Sequence, residues 1–326
     1  MYPIQILRLI PCVFVVFAFN ALVGREVHVT PVEIWSNSTR QIDHLKVSYE
    51  MDSRPTEEVL NYYRTNSVPK KVRNVIINIC SHYHTMIAIT KKGAQSKYNI
   101  KKTVEPFDID GLTKGGRAFG QSKMVADDVQ IWSVTGLFFF SNTEHSGAFR
   151  SEWPEHPITP LSFLLPPSDI SKVKSLKDGE NLVEVRSDEG KSAIRYHLSS
   201  RYGMMPVEIE YFQVLSNGGL FLYRVVKIEK YLETKQGSYL PESGVTYEFA
   251  SRDDGKLTWR VEERFKLIKS ETGLDIPDSE FQLTFPPGTR VTDYTIDVDY
   301  LIPKDGKNPI FSITNPESDG QLMPAK

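Results

Sequence analysis

Apolar and polar residues alternate strictly over short runs along much of this chain. In residues 206–211, Val207, Ile209 and Tyr211 oppose Glu208 and Glu210. In residues 257–267, Leu257, Trp259, Val261, Phe265 and Leu267 share one side, interrupted by Glu263, while Thr258, Arg260, Glu262, Arg264 and Lys266 share the other. A period of two with one polar side marks an antiparallel sheet covered on one face. Runs rich in β-branched and aromatic residues recur at 74–90, 129–141, 192–198, 205–212, 220–232, 244–250 and 256–268. Phe281, Leu283 and Phe285 close the series before Pro286-Pro287-Gly288 stops it. Between the runs, "SNGG" (216–219), "KQGS" (235–238) and "RDDG" (252–255) are hairpin connectors. The expectation is a β-meander over residues 192–285.

Helical signal is sparse. "PTEEVLNYYR" (55–64) places two acids in a first turn and Val59, Leu60 and Tyr63 on one side, and "PSDISKVKSL" (167–176) is a second short candidate. Neither is long enough to cover an extended sheet. Residues 304–326 carry turn formers throughout and are expected to be a loose tail.

The 326 residues are 40% hydrophobic and 25% charged, within the ordinary globular range. With 39 basic against 41 acidic residues the net charge is −2, so no global field favours nucleic acid. The first 24 residues differ from the rest: a basic start is followed by an apolar run from Leu9 to Gly24. That run is short for a bilayer span of about 20 residues, and it reads as a secretory signal removed near Ala21–Gly24, or as an uncleaved anchor. Cys12 has Pro11 before it and most of the apolar run after it, which is not the order of a lipid-modified cysteine. With the signal removed Cys80 is the remaining cysteine, so stability must come from core packing. The expected location is the periplasm or the medium, or a membrane surface if the anchor is retained.

The order "YHLSSRYGMMPVEIEYF", "LYRVVKIEKYLE", "GSYLPESGVTYEFASRDDGKLTWRVEE" and "LDIPDSEFQLTFPPGTRVTDY" resembles secreted bacterial proteins of the LolA-like class, the outer-membrane lipoprotein carriers and their relatives. The resemblance covers roughly residues 195–303. It implies a mainly β protein: a curved antiparallel sheet, an incomplete barrel, with a few short helices plugging its concave face. It also implies one domain over residues 25–303, and a non-enzymatic carrier role. The expected partner is an apolar ligand, such as an acyl chain or a lipidated protein, with contact to a membrane or to another envelope protein as a further class. An envelope sensing or structural module and an enzyme on the same scaffold are the alternatives, because fold alone does not fix function.

Two physical readings exist for the large residues of the inner face. Tyr211, Phe249, Trp259, Phe281, Leu283 and Phe285 either line a ligand cavity or fill a packed core, and a sequence pattern does not distinguish a void from a filled space. "CSHYH" puts Cys80, His82 and His84 at spacing two on a strand, where one adjacent pair, His82 and His84, could share a zinc ion but all three could not. A half-exposed polar strand face explains the same residues. Asp108-x-Asp110-Gly111 lacks the later ligands of a calcium loop, and "GLTKGGRAFG" has neither phosphate-loop nor dinucleotide spacing. No motif implies a cofactor, and no catalytic residue is singled out.

Overall fold

The structure is a computed structural model that describes residues 30–40, 42–65, 80–107, 118–126, 131–139, 142–150, 158–167, 173–175, 181–187, 189–251, 257–293, 298–302, 310–312 and 323–324. The candidate calcium and glycine-rich loops, residues 252–255 and the N-terminal apolar run lie outside the described residues.

Two helices and eighteen strands are described. Helix α1 spans Pro31–Arg40 and α2 spans Glu57–Thr65. The strands of the N-terminal half are β1 (His44–Pro55), β2 (Ser81–Lys92), β3 (Gln95–Pro106), β4 (Ala118–Ala126), β5 (Ile131–Phe139) and β6 (Asn142–Arg150). Those of the C-terminal half are β7 (Lys174–Ser175), β8 (Leu182–Arg186), β9 (Ser192–Ser199), β10 (Met205–Val214), β11 (Leu220–Glu233), β12 (Tyr239–Ser251) and β13 (Leu257–Thr272). Five short strands follow: β14 (Gln282–Thr284), β15 (Arg290–Asp293), β16 (Val298–Leu301), β17 (Ile310–Ser312) and β18 (Met323–Pro324).

Sixteen of these form one curved sheet in the order β18-β16-β15-β6-β5-β4-β3-β2-β1-β13-β12-β11-β10-β9-β8-β7. Its two ends, β18 and β7, are not paired with each other, so the sheet is an incomplete barrel. Neighbours are antiparallel apart from the parallel β15–β6 pair. Each half is a run of sequential hairpins, and β1 paired with β13 joins them, matching Leu45 with Thr272 and Pro55 with Val261. Tight turns carry the hairpins: Gly218 and Gly237 adopt φ of 80° and 78°, a left-handed conformation in which a side chain would be strained.

The alternation seen in the sequence becomes two faces. Leu45, Val47, Tyr49 and Met51 of β1 point to the concave side, where they meet Ile87 and Ile89 of β2, Tyr98 of β3, Ile209 of β10, Val226 of β11 and Phe265 of β13 in the main core. The opposite face carries charges that pair across strands, such as Lys227–Glu208 at 3.6 Å and Arg264–Glu229 at 3.6 Å. Glu184, whose side chain is 6% exposed, receives Arg186 and Arg195 at 2.8 Å each.

The meander over 192–272 agrees with the sequence reading, as does a helix close to 55–64. The last predicted strand does not join it. Residues 282–284 pair instead with β17 as a separate two-stranded sheet, because Pro277 and the 3-10 turn Asp278–Phe281 redirect the chain after β13. Residues 310–312, expected within a loose tail, supply that partner. In the expected helix 167–176, Lys174 and Ser175 pair with β8 as strand β7.

Candidate functional site

Helix α1 was not expected from periodicity, yet its start is written in the sequence as Thr30-Pro31-Val32-Glu33. Thr30 N donates to Glu33 Oε2 at 2.7 Å and Glu33 N donates to Thr30 Oγ1 at 3.3 Å, a reciprocal cap with proline in the first turn. Donation from the Thr30 N–H and from the Thr30 hydroxyl to Oε2 holds the Glu33 carboxyl below its ordinary value. From this start Val32 and Trp35 reach into the main core, and the Trp35 ring meets Tyr196 at a centroid distance of 5.0 Å. Ser38 Oγ donates to Gly203 O at 3.2 Å, fixing the C-terminal half of the helix to the turn after β9.

A second piece of chain lies over the concave face. Thr159 N donates to Ser162 Oγ at 2.8 Å, and Pro160–Leu164 form a 3-10 turn. Phe163 and Leu164 are buried, with the Phe163 ring 6.0 Å from that of Phe265. Trp35 Nε1 donates to Leu164 O at 2.7 Å, so helix and turn are joined above the sheet. Together they do what the sequence resemblance implied for short helices, covering part of the inner face.

Between them and strands β1–β3 lies a cavity of about 320 Å³. Its walls are apolar: Ile42, Leu45, Ile89, Tyr98, Leu161 and Leu164. Thr39, Ser96 and Ser162 add hydroxyls, and Lys91 with Asp43, 3.5 Å apart, supplies a charge pair that is neutral in sum. Leu165 lines the cavity while 56% exposed, and Ile158 beside it is 58% exposed. Ligand sites are typically concave, mostly apolar and about 300–1,000 Å³, so this one is at the small end of that range.

Of the six residues singled out from the sequence, Tyr211, Phe249, Phe281, Leu283 and Phe285 do not line this cavity. Tyr211 is half-buried against the main core, its ring 5.8 Å from the Arg224 guanidinium. Phe249 is half-buried on β12, opposite Trp259 of β13, whose side chain lies outside the described residues. Phe281, Leu283 and Phe285 are fully buried with Ile276, Val291 and Ile302 in a second apolar cluster. The 3-10 turn delivers Phe281 into that cluster, and the alternation along β14 delivers Leu283 and Phe285. The residues that do line the cavity come largely from regions 39–45 and 159–165.

His82 and His84 face away from the core and are held by acids. His82 Nε2 lies 2.8 Å from Asp52 Oδ2, and His84 Nδ1 lies 3.7 Å from Glu50 Oε1. Cys80 precedes the strand, fully buried against Val59 and Leu60 of α2, and burial pushes its thiol up to about 11. Among the described residues no group of three metal-ligating side chains converges.

No family model matches the chain, and no curated protein matches it. Solved structures are matched at low similarity. One is a domain described as outer membrane lipoprotein-sorting, from Vibrio parahaemolyticus, at 9% identity and a TM-score of 0.42, covering 77% of this chain and 95% of its own. Another is a β-barrel-like protein of a domain of unknown function from Brucella abortus, at 10% identity and a TM-score of 0.27, covering 72% of this chain and all of its own.

Proposed function

We propose that the protein is a non-enzymatic binding protein for an apolar ligand, a lipid or the acyl part of a lipidated protein, held between the curved sheet and the α1/3-10 cover. The observation that carries this reading is the largely apolar cavity bounded by Thr39 of α1, Leu161 and Leu164 of the 3-10 turn and the strands β1–β3. Burying alkyl groups yields roughly 0.8 kcal/mol per CH₂, so about eight methylenes contribute on the order of 6 kcal/mol before association costs. At about 320 Å³ the cavity suits part of one chain, with the remainder leaving past the exposed Leu165 and Ile158. No catalytic constellation is needed for such a task. Export to the periplasm or beyond is part of the same proposal, resting on the N-terminal apolar run.

The test is native mass spectrometry of gently purified protein, followed by reloading of stripped protein with a fluorescent fatty acid. Co-purified lipid mass and one-to-one reloading support the reading. A bare polypeptide mass together with no uptake of the probe would sink it.

A further inference from the structure

Among the described residues, two charged side chains line the cavity, Asp43 and Lys91, and both stand at the end where β2 turns into β3. Leu45 of β1 is matched with Lys91 of β2, and Lys91 with Ser96 of β3. Leu45 belongs to the main core, so this row faces inward. The next inward row, two residues along each strand, is Val47, Ile89 and Tyr98, apolar apart from one phenol. Lys91 is therefore a cation on the core side of the sheet, at the last step before the turn. Asp43, just ahead of β1, is the anion beside it.

The turn holds this pair in place. Gly93 N donates to Asp43 O at 3.0 Å, while Lys91 Nζ donates to Gly93 O and, at 3.5 Å, to Asp43 Oδ1. Gly93 adopts a φ of 55° to make these contacts, a left-handed conformation that suits glycine. An ammonium has three donors, so one remains to Lys91, and Asp43 keeps its second carboxylate oxygen. The hydroxyls of the lining are spent on the chain itself. Thr39 Oγ1 donates to Ser36 O at 2.9 Å, Ser162 Oγ donates to Thr159 O at 2.6 Å, and Ser96 is engaged with the Tyr98 hydroxyl. The Lys91 and Asp43 side chains are 25% and 47% exposed, so a ligand in the cavity can reach both.

We propose, building on the carrier reading of this cavity, that Lys91 and Asp43 receive the head of a single-chain lipid and select one that is uncharged, with an ester carbonyl and a nearby hydroxyl, as in a monoacylglycerol. The remaining Lys91 donor meets the carbonyl, and the second Asp43 oxygen accepts from the hydroxyl. A carboxylate head on Lys91 would bring its charge against Asp43, and an ammonium head on Asp43 would bring its charge against Lys91. Like charges set side by side are penalised. A neutral head preserves the attraction within the pair and adds a charge-assisted hydrogen bond to each partner. The acyl chain then lies along Ile89, Leu161 and Leu164.

The experiment is displacement of the fluorescent fatty acid from the full chain at neutral pH by 1-monododecanoylglycerol and, separately, by dodecanoate, each below the concentration at which it self-associates. The two share one acyl chain and differ in the head. The neutral lipid should bind about fivefold or more tighter. Asp43→Asn removes the opposing charge and should tighten dodecanoate by a similar factor while changing the monoacylglycerol little, so the preference closes. Lys91→Met should weaken both lipids. Both side chains reach solvent, and circular dichroism verifies that the variants fold. A change in packing alone would move the two affinities together, so their ratio is the readout. Dodecanoate bound by the wild type as tightly as the monoacylglycerol, a ratio unchanged in Asp43→Asn, or unaltered affinities in Lys91→Met overturns the head-group assignment and leaves the carrier reading standing. Binding of neither lipid and none of the probe defeats both.

Discussion

Trp35 and Leu164, 129 residues apart in sequence, are joined by a 2.7 Å hydrogen bond from the indole Nε1 to the carbonyl oxygen. The bond is buried, and it links the helix that enters the fold to the turn that crosses the concave face. Trp35→Phe keeps most of the apolar contact with Tyr196 but leaves the Leu164 carbonyl unmet, at a cost of about 1–3 kcal/mol. Trp35→Ala also leaves a void and should cost about 3–5 kcal/mol. Urea midpoints measured for the two variants will show this order, and ligand uptake will weaken in both as the cover loosens.

Gly244 on β12 lies opposite Ile228 of β11 and Phe265 of β13, where the two neighbouring strands close in. A Cβ there would overlap the Lys227 carbonyl oxygen and sit 2.5 Å from Phe265 Cζ. The first obstacle is backbone, so relief requires a shift of the strand itself. Gly244→Ala should destabilise by about 1–3 kcal/mol or more through overpacking, visible as a lowered Tm in thermal denaturation.

Burial disfavours ionisation of Glu184, but hydrogen bonds from Arg195 and Arg186 outweigh it and hold the carboxyl below its ordinary value of 4.5. A depressed folded value means that the stabilisation is present above the unfolded value of about 4.3 and is lost as pH falls through the folded one. Glu184→Gln should therefore be less stable than the parent at pH 7, by about 1–3 kcal/mol. The gap between them should narrow at pH 3, below the unfolded value, where the advantage of the ionised form is shrinking. Denaturant titrations at the two pH values read this directly, and a gap of constant size would remove Glu184 from the acid response.

The cavity and the Phe281 cluster are separable by mutation. Ala94 lines the cavity from the exposed turn between β2 and β3, so Ala94→Trp should obstruct the mouth with little change in stability. Phe281→Ala empties part of the second cluster and should cost about 3–5 kcal/mol while leaving uptake by the remaining folded protein intact. Fluorescent fatty-acid titration with parallel thermal melts distinguishes the two effects. Loss of uptake in Phe281→Ala at full folding would move the ligand to the cluster that the sequence pattern first suggested.

The C-terminal hairpins were legible because each strand carries its own period-two pattern and its own turn glycines, as at Ile209, Gly218 and Gly237. What stayed hidden was partnership over distance. Nothing local in His44–Pro55 says that it pairs with Leu257–Thr272, although its own alternation is regular. Phe281, Leu283 and Phe285 have the pattern of a sheet strand, but the Pro277 bend carries them into another cluster. The cavity lining was missed for a related reason: Ile42, Leu161 and Leu164 come from connecting segments, where periodicity has no bearing. The Thr30–Glu33 cap was the local signal that could have revealed α1.

Because β1 fits between β2 and β13, the middle of the sheet cannot be completed until residue 272 is available. A chain that emerges N-terminus first must therefore hold its early hairpins with one flank waiting until most of the polypeptide has appeared. Long-range closure of this kind is slow. It leaves a lengthy interval in which the chain remains threadable, and in which that waiting flank is the place where a chaperone would be needed or an unwanted self-association would begin.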